Sequence, residues 1–417
     1  SLSEKISQPV SAEDLPISRV DIALSPITVS FDAFGKRWQF SGALDSCDEI
    51  SPLDDHRVVS PDGKKSAFVR DHNIWLQDLT TGEETPLTTD GTERYGYADT
   101  PAAYGGKITM EGIEAIWSPD SRKLFTLQLD TRQVKNLPLM EYVPSDGATR
   151  PRVMYANRPV AFPEDDNVEE YRFLSIDVET GQHQGAHFRH SPVFYNSMGF
   201  FTCQHGWWSK DNRHAYYIDM ERGNLIARVL EFDTVTGQVR VVIEEQSDIC
   251  VRLSLNLEDR PVATYLPDTD EILWYSERSG WAHLYLYDAK TGALKNQVTS
   301  GNWLVRDILF YDASQRELTI QTAERVEGRN PYSRDICRVN IDTSELVEVF
   351  SPDQECVVIN HKNIHHFCLV AFGKDARDSQ GIAPNGEYMV STVSRVDQVP
   401  KTVLLNRKGK VIMELET

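Results

Sequence analysis

The chain has 417 residues, of which 40% are hydrophobic, and this allows a large buried core. Its 43 lysine and arginine residues are outnumbered by 63 aspartate and glutamate residues, which gives a formal net charge of -20. Such a surface repels phosphate backbones and anionic lipids, which argues against nucleic acid or a membrane surface as a partner. No run of about 18 apolar residues occurs, so the sequence predicts no membrane span.

The first predicted elements lie near the amino terminus. We treat residues 1–26 as an extension or a partial repeat unit, because they carry no clear turn pattern. Asp32 to Lys36 has the composition of a tight turn, and Arg37 to Phe40 follows it with strand-like residues. These residues predict one hairpin before the first regular repeat.

A turn of the form Ser-Pro-Asp-Gly recurs along the chain. It begins at Ser60 and has looser copies at Ser118, Ser209 and Ala383, with further traces at Pro267 and Tyr311. Proline fixes the first central residue of such a turn, and Asp or Gly completes the reversal. A strand-like stretch follows each copy, so each copy predicts a hairpin.

A second turn, Asp-x-x-Thr-Gly, follows the first one in each unit. Copies begin at Asp78, Asp177, Asp233 and Asp288, at steps of 99, 56 and 55 residues. The step of 99 residues predicts an insertion or an extra unit. A degenerate copy is predicted to begin at Asp342, and Asn406 to Gly409 forms another turn. The Asp side chain can accept backbone amides two residues on, and Gly supplies the left-handed conformation.

These turns divide the chain into units of roughly fifty residues, each with at least two hairpins. Alternation of apolar and polar residues before the second turn, as in Asn73 to Asp78 and His283 to Asp288, predicts half-buried strands. A unit of this size cannot bury both faces of its sheet, but a closed ring of units can. We therefore predict an all-β fold, a β-propeller of four-stranded blades, in which seven units can be counted.

Three stretches narrow this prediction to a family. They are Ser60 to Gly91, Ile116 to Tyr142 and Glu277 to Trp303. Each resembles a propeller blade of dipeptidyl peptidase IV-like serine peptidases of the prolyl oligopeptidase family, and the second includes the place where that family inserts an extended arm. The resemblance covers residues 27–417, which we predict to be one propeller domain. It implies eight blades.

The resemblance also implies a catalytic α/β-hydrolase domain after the propeller, with a serine in a Gly-x-Ser-x-Gly turn. No such pentapeptide occurs in the sequence. We therefore expect this chain to be part of a longer serine peptidase, inactive alone, whose propeller gates the active site and binds the amino terminus of a peptide substrate. A periplasmic or secreted location and a homodimer of the full-length protein are further expectations.

Three residues are candidates for substrate binding by this resemblance. Arg37 corresponds to an arginine near the substrate carbonyl. Glu111 and Glu114 lie close to the place of two adjacent glutamates that pair with the substrate ammonium in strict dipeptidyl peptidases. The adjacent pair itself is absent here, so aminopeptidase or oligopeptidase specificity stays open. The alternatives are an exposed strand charge for Arg37 and solvated loop carboxylates for the glutamates.

The cysteines indicate neither a metal site nor a cofactor. No Cys-x-x-Cys spacing occurs, and we find no other cofactor motif. Cys356 and Cys368 are the pair that we would test first for a disulfide bond, with buried free thiols as the alternative.

Two other functions remain open: a stand-alone propeller that binds another protein, and a carbohydrate-active propeller that uses paired carboxylates. Trp207 and Trp208 are predicted to lie in a blade core, with a carbohydrate-stacking platform as the alternative. The acidic run Asp165, Asp166, Glu169 and Glu170 is predicted to be a solvated insertion.

Overall fold

The computed structural model describes residues 17–24, 27–42, 46–50, 57–99, 113–193, 200–201, 204–252, 263–352, 355–358, 381–383, 385–395 and 397–416. No helix occurs among these residues. Their strands form seven antiparallel sheets of four or more strands and one two-stranded ribbon. This arrangement is a seven-bladed β-propeller, which confirms the predicted fold and the seven countable units.

The first two sheets each contain four consecutive strands. Sheet 1 contains β1 (Ser18–Leu24), β2 (Ile27–Ala33), β3 (Lys36–Ser41) and β4 (Ser46–Ile50). Sheet 2 contains β5 (Arg57–Val59), β6 (Lys65–Arg70), β7 (Asn73–Asp78) and β8 (Glu84–Pro86). Because β1 pairs with β2, residues 18–24 belong to the first blade, and the described residues hold no eighth blade. The predicted domain boundaries themselves stay a prediction.

Sheet 3 contains the insertion that the step of 99 residues predicts. Before the insertion, its strands are β9 (Tyr95–Tyr97), β10 (Ala115–Trp117) and β11 (Lys123–Asp130). The insertion forms the ribbon of β12 (Asn136–Glu141) and β13 (Arg152–Pro159). After it, the sheet continues with β14 (Glu170–Asp177), β15 (His183–Gly185) and β16 (Ser191–Pro192). The ribbon is thus inserted between the second and third strands of the regular blade pattern, β11 and β14.

The other four sheets again follow the regular pattern. Sheet 4 contains β17 (Gly206–Trp208), β18 (His214–Met220), β19 (Ile226–Asp233) and β20 (Val239–Gln246). Sheet 5 contains β21 (Ala263–Leu266), β22 (Glu271–Ser276), β23 (His283–Asp288) and β24 (Leu294–Gln297). Sheet 6 contains β25 (Leu304–Asp312), β26 (Glu317–Ala323), β27 (Arg334–Asn340) and β28 (Leu346–Phe350). Sheet 7 contains β29 (Glu355–Val358), β30 (Tyr388–Arg395), β31 (Gln398–Asn406) and β32 (Val411–Glu416).

The Asp-x-x-Thr-Gly turns connect the third and fourth strands of their sheets. In the first copy, Oδ1 of Asp78 accepts the backbone amides of Thr80 and Thr81, and Gly82 has φ +75°. The predicted copy at Asp342 begins two residues too late. There Oδ1 of Asn340 accepts the amides of Asp342 and Thr343, because an amide oxygen can replace the carboxylate of the motif.

The Ser-Pro-Asp turns connect the first and second strands and also link neighbouring sheets. The residue after the Asp has positive φ in three copies, at Gly63, Ser121 and Asn212. Ser121 Oγ accepts the backbone amide of Asp62 from sheet 2 at 3.0 Å. Asn212 Oδ1 accepts the backbone amide of Asp120 from sheet 3, also at 3.0 Å. Replacement of the turn glycine by a polar residue therefore adds a hydrogen bond between blades.

One large cluster of buried apolar residues runs through sheets 3 to 6. Aromatic rings join sheet 3 to sheet 4, with 4.3 Å between the ring centroids of Phe173 and Tyr217. Trp207 stacks on Tyr216 and Tyr265, with 5.9 and 6.0 Å between centroids. Trp208 is buried and Trp207 is half-buried against the core, which favours the predicted core role of this pair over a carbohydrate platform.

Two further sequence predictions concern the cysteines and a membrane span. Cys250 and Cys337 are free thiols, and the predicted Cys356–Cys368 pair lies outside the described side chains. In the part of the chain that the structure describes, no helix has the length and apolar character needed to cross a membrane.

Candidate functional site

The two edges of the sheets differ in the loops that they carry. Strands alternate in direction, so the turns after the first and third strands of a regular sheet lie at one edge, which we call the turn edge. The hairpin after the second strand and the connection to the next sheet lie at the opposite edge, the connection edge. The connection edge carries the hairpins at residues 34–35, 71–72, 221–225, 277–282 and 324–333 and the insertion at 131–169.

Arg37 lies in β3 near the connection edge of sheet 1. Its side chain is buried, and Nη1 donates a hydrogen bond of 2.8 Å to Oδ1 of Asp32, which is its cross-strand neighbour in β2. The alternative interpretation of Arg37 as an exposed strand charge is therefore wrong. The burial arises because the short hairpin at Phe34–Gly35 places the arginine beside an acidic residue. Its contact with a substrate stays a prediction.

Glu114 lies just before β10, at the connection edge of sheet 3. It is only 2% exposed, and Oε2 accepts the backbone amide of Phe201 at 2.6 Å. Its own carbonyl accepts the hydroxyl of Thr126 at 2.7 Å. Glu114 is therefore not a solvated loop carboxylate, because it binds a segment that packs into the aromatic core. Glu111 lies outside the described residues.

The topology thus places Arg37 and Glu114 at the same edge of the propeller but on different sheets, and each has a partner of its own. A buried guanidinium and a buried carboxylate are the groups that can recognise the charged ends and carbonyls of a peptide. Their roles toward substrate remain predictions.

The sequence interpretation missed a buried ionic network on sheet 4. Asp219, at the end of β18, is 0% exposed, and its Oδ2 accepts hydrogen bonds from Arg189 at 2.8 Å and Arg228 at 3.2 Å. Arg228 also pairs with Glu221 at 2.7 Å. Burial, followed by the negative charge of Asp219, raises the pKa of the neighbouring Tyr217. An aspartate within the apolar stretch Tyr217-Ile218-Asp219-Met220 was the signal that could have revealed it.

Similar guanidinium–carboxylate pairs follow at the connection edge of the next two sheets. Arg278 pairs with Glu245 at 2.6 Å and donates to the hydroxyl of Tyr287 at 2.8 Å. Arg329 pairs with the buried Asp335 at 2.8 Å. The connection edge therefore carries fixed charges, which can orient a charged peptide or hold a neighbouring domain.

The described residues contain no group of three or more His, Cys, Asp or Glu side chains that could hold a metal ion. The ion pairs and hydrogen bonds of this edge are contacts of the kind by which proteins recognise charged ligands.

Comparison with known proteins agrees with this architecture. The sequence profile of the family described as "Dipeptidyl peptidase IV (DPP IV) N-terminal region" matches residues 45–400. A probable dipeptidyl-aminopeptidase B of Emericella nidulans is 24% identical over 339 residues, which are 76% of this chain and 36% of that protein. A probable dipeptidyl-aminopeptidase B of Aspergillus niger is 29% identical over 122 residues, which are 28% of this chain and 14% of that protein.

Two solved structures share the fold. Dipeptidyl peptidase 4 of Porphyromonas gingivalis superposes with a TM-score of 0.65 and 16% identity over 96% of this chain and 50% of its own. A putative dipeptidyl aminopeptidase IV of Bacteroides ovatus gives 0.63 and 18% identity over 94% of this chain and 51% of its own. The chain thus spans about half the length of these structures. The match over residues 45–400 shows that the chain belongs to the family of dipeptidyl peptidase IV N-terminal regions.

Proposed function

We propose that this chain is the substrate-gating and amino-terminus-binding propeller of a dipeptidyl peptidase IV-like serine peptidase. The family match over residues 45–400 is the observation that carries the proposal. The sequence has no Gly-x-Ser-x-Gly turn, so the nucleophile has to come from a hydrolase domain outside these 417 residues. The chain alone is then inactive, and its contribution to catalysis is access and binding.

Substrate binding would take place at the connection edge. The guanidinium of Arg37 is buried, and its ion pair with Asp32 fixes its orientation. By the family resemblance, Glu111 and Glu114 lie near, but displaced from, the place of the two adjacent glutamates that pair with the substrate ammonium. A substrate with a free amino terminus is therefore proposed, without commitment to dipeptide release.

The test is an assay of the full-length parent protein on two chromogenic amides that differ only in acetylation of the amino terminus. We expect hydrolysis of the free form and at least a roughly tenfold lower kcat/KM for the acetylated form, because a charge-assisted bond is lost. The isolated chain should bind the free form without cleaving it. Equal rates for both amides would contradict amino-terminal recognition, and no hydrolysis by the parent protein would contradict the peptidase assignment.

Matched variants separate binding from folding at Arg37. Arg37→Lys keeps the positive charge but loses the planar pair of donors, whereas Asp32→Asn keeps the guanidinium and weakens its ion pair. If Arg37 contacts substrate, Arg37→Lys raises KM more than Asp32→Asn does at equal thermal stability. Equal effects of both variants would assign Arg37 a structural role.

We further propose that the full-length protein is a homodimer joined through the ribbon β12–β13. Apolar cross-strand neighbours share one face of this ribbon, with Met140 opposite Val153 and Pro138 opposite Tyr155. Met140, Val153 and Tyr155 are 48%, 56% and 60% exposed. Light scattering of the full-length protein should give a dimer that Val153→Glu converts to a monomer. A monomeric wild-type protein would contradict this proposal.

A periplasmic or secreted location is the remaining part of the proposal, and it follows from the family resemblance. Fractionation of the native organism tests it, and recovery of the protein with cytoplasmic markers would contradict it.

A further inference from the structure

A cleft of about 320 Å³ opens between the base of the ribbon insertion and the hairpin that joins β18 to β19. Its apolar wall includes Phe162, Val168, Val193 and Met220, and two carboxylates, Glu169 and Glu221, also line it. None of the residues predicted to bind substrate belongs to this lining. The volume lies at the lower end of the range for small-molecule pockets.

The two walls of the cleft are joined by one arginine. Arg222, in the hairpin of sheet 4, donates hydrogen bonds to the carbonyls of Phe162, Pro163 and Asp165 at the base of the insertion. That base is itself a tight turn, in which Phe162 donates its amide to Oδ2 of Asp165 at 2.9 Å. The cleft is therefore held open by fixed contacts, and the cationic donors of Arg222 are occupied by carbonyl oxygens.

Glu169 is the unusual residue of this lining. The sequence predicts a solvated acidic run here, but Glu169 is 1% exposed, because β14 and β16 meet beside it and its carbonyl accepts the amide of Val193. Its Oε1 accepts the amide of Ala161 at 3.2 Å. Within the part of the chain that the structure describes, Oε2 receives no hydrogen bond and no ion pair. A buried carboxylate without a cationic partner is costly unless a ligand supplies one.

The second carboxylate of the cleft differs because its charge is compensated. Oε1 of Glu221 lies 2.7 Å from Arg228 and 3.8 Å from Arg189. Of the two carboxylates in the lining, Glu169 is the one without an ion-pair partner among the described residues. One free carboxylate beside an apolar wall is complementary to one positive charge on an apolar stem.

We propose that this cleft binds a primary ammonium group carried on a short apolar chain, with the ammonium on Oε2 of Glu169 and the chain against Phe162, Val193 and Met220. An anion would be repelled by the carboxylate of Glu169. A divalent cation would find one free carboxylate, fewer than the several oxygen ligands that it needs.

The test uses this chain labelled with ¹³C at its methionine methyl groups and n-butylammonium chloride as the probe. Met220 lines the cleft and is 1% exposed, whereas Met140, on the ribbon, is 48% exposed and serves as the internal reference. We expect the Met220 resonance to shift saturably and the Met140 resonance to stay unchanged. Neutral n-butanol should bind roughly tenfold more weakly or worse, because it cannot form a charge-assisted hydrogen bond.

Two neighbouring carboxylates supply matched variants. Glu169→Gln keeps an oxygen for the amide of Ala161 but removes the charge, and should weaken n-butylammonium binding roughly tenfold or more. Glu170→Gln removes a charge one residue away that faces His190 and does not line the cleft, and should leave the affinity unchanged. The proposal fails if Met220 does not respond, if butanol and butylammonium bind equally, or if both variants lose affinity equally.

The ammonium could come from a free amine or from a lysine side chain, and Nα-acetyl-lysine methylamide distinguishes these sources. Binding of n-butylammonium alone would assign the cleft to free amines, since the larger probe carries a peptide unit that the cleft then rejects. Binding of both probes would assign it to ammonium groups that include protein lysines. Binding of neither would overturn the proposal.

Discussion

Both edges of this propeller hold buried ion pairs, such as Glu271 with Arg316 at the turn edge, but among the described residues the turn edge alone repeats the same turns from sheet to sheet. At the turn edge, the same local devices recur from sheet to sheet, as in the amides accepted by Asp78 and Asp233. At the connection edge, the ion pairs differ from sheet to sheet: Asp219 pairs with Arg228 within sheet 4, and Glu245 of sheet 4 pairs with Arg278 of sheet 5. The repeated turns are common to the blades and define the propeller fold. The ion pairs differ from blade to blade and give each blade its own surface.

This difference indicates where function can be located in a repeat fold. The Asp-x-x-Thr-Gly turns satisfy hydrogen bonds within about five residues, as Asp78 does with the amides of Thr80 and Thr81. At the connection edge, the buried Asp219 binds Arg189, which is 30 residues away, and burial makes the loss of such a charge costly. We therefore expect substitutions at the two edges to differ in size, and the following predictions test this from the largest effect to the smallest.

The largest effect is expected at Asp219. Asp219→Ala removes the acceptor of Arg189 and Arg228 at a site with 0% exposure, and should lower the free energy of unfolding by about 3–5 kcal/mol. The matched control is Glu221→Ala, which removes a partner of the same Arg228 from a side chain that is 38% exposed, and should cost less than about 1 kcal/mol. Urea unfolding followed by fluorescence measures both. Equal losses would show that burial does not decide the strength of this network.

The second prediction compares two glycines of the same turn motif. Gly292 and Gly82 have φ +73° and +75°, but a Cβ on Gly292 would lie 2.5 Å from the carbonyl oxygen of Val242 in the preceding sheet, whereas a Cβ on Gly82 would meet nothing within 4 Å. Gly82→Ala should cost about 1–2 kcal/mol through backbone strain alone. Gly292→Ala should cost a further 1–3 kcal/mol or so from overpacking.

Thermal unfolding of the two glycine variants measures the difference. A lower melting temperature for Gly292→Ala would show that the turn edge also maintains the distance between sheets. Equal melting temperatures would mean that the sheets can separate without cost, and that each turn acts only on its own hairpin.

The repeated turns explain how much of the fold could be predicted from the sequence. Asp78 and Asp177 mark turns through bonds to amides two and three residues away, so the motif and the structure coincide. The sequence predicts the copy on sheet 6 two residues too late, because two residues of the motif are exchanged there. Asn340 accepts the backbone amides in place of the Asp, and Ser344, with φ +61°, occupies the position of the Gly. A turn can be predicted from the sequence when its hydrogen bonds join residues close in the chain. When a chemically equivalent residue replaces one of the motif residues, the predicted position of the turn becomes wrong.

The candidate site was less predictable because its contacts join residues that are far apart in the sequence. The burial of Glu114 depends on Phe201, which is 87 residues away, and the network of Asp219 includes Arg189, which is 30 residues away. Nothing adjacent in the sequence indicates such a partner. Arg37 was identified by family resemblance, and its pair with Asp32 is the one local contact of this set.

The third prediction concerns His283, at the connection-edge end of β23. It is buried, with Nδ1 3.0 Å from the hydroxyl of Thr299 and Nε2 3.0 Å from the carbonyl oxygen of Gly301. Burial lowers the pKa of His283 below its ordinary value of 6.5. The unfolded chain then binds the proton more readily, so this contribution to stability is present above about pH 6.5 and is lost as the pH falls below it.

The histidine effect is measured as the difference between the wild type and His283→Gln, which keeps one donor and one acceptor but cannot titrate. Between pH 7 and pH 5 the wild type should lose up to about 1.4 kcal/mol per pH unit more than the variant. Parallel pH profiles would show that His283 is protonated equally in both states. In that case His283, unlike the ionic networks of the same edge, would not contribute a charge-dependent part of the stability.

The smallest effect is expected for the hydrogen bond between two turns. Asn212→Gly keeps a backbone with φ +57° but removes the acceptor of the Asp120 amide, and should cost about 0.5–1.5 kcal/mol. Asn224→Gly is the matched control, because Asn224 also has φ +57° and its side chain forms no hydrogen bond with the described residues. Since both variants gain the same backbone freedom, the difference between their unfolding midpoints isolates the bond between sheets 3 and 4. If the midpoints are equal, the polar residue at this position contributes to the shape of the turn and not to the cohesion of the ring, and cohesion then rests on the apolar core and the close-packed glycines.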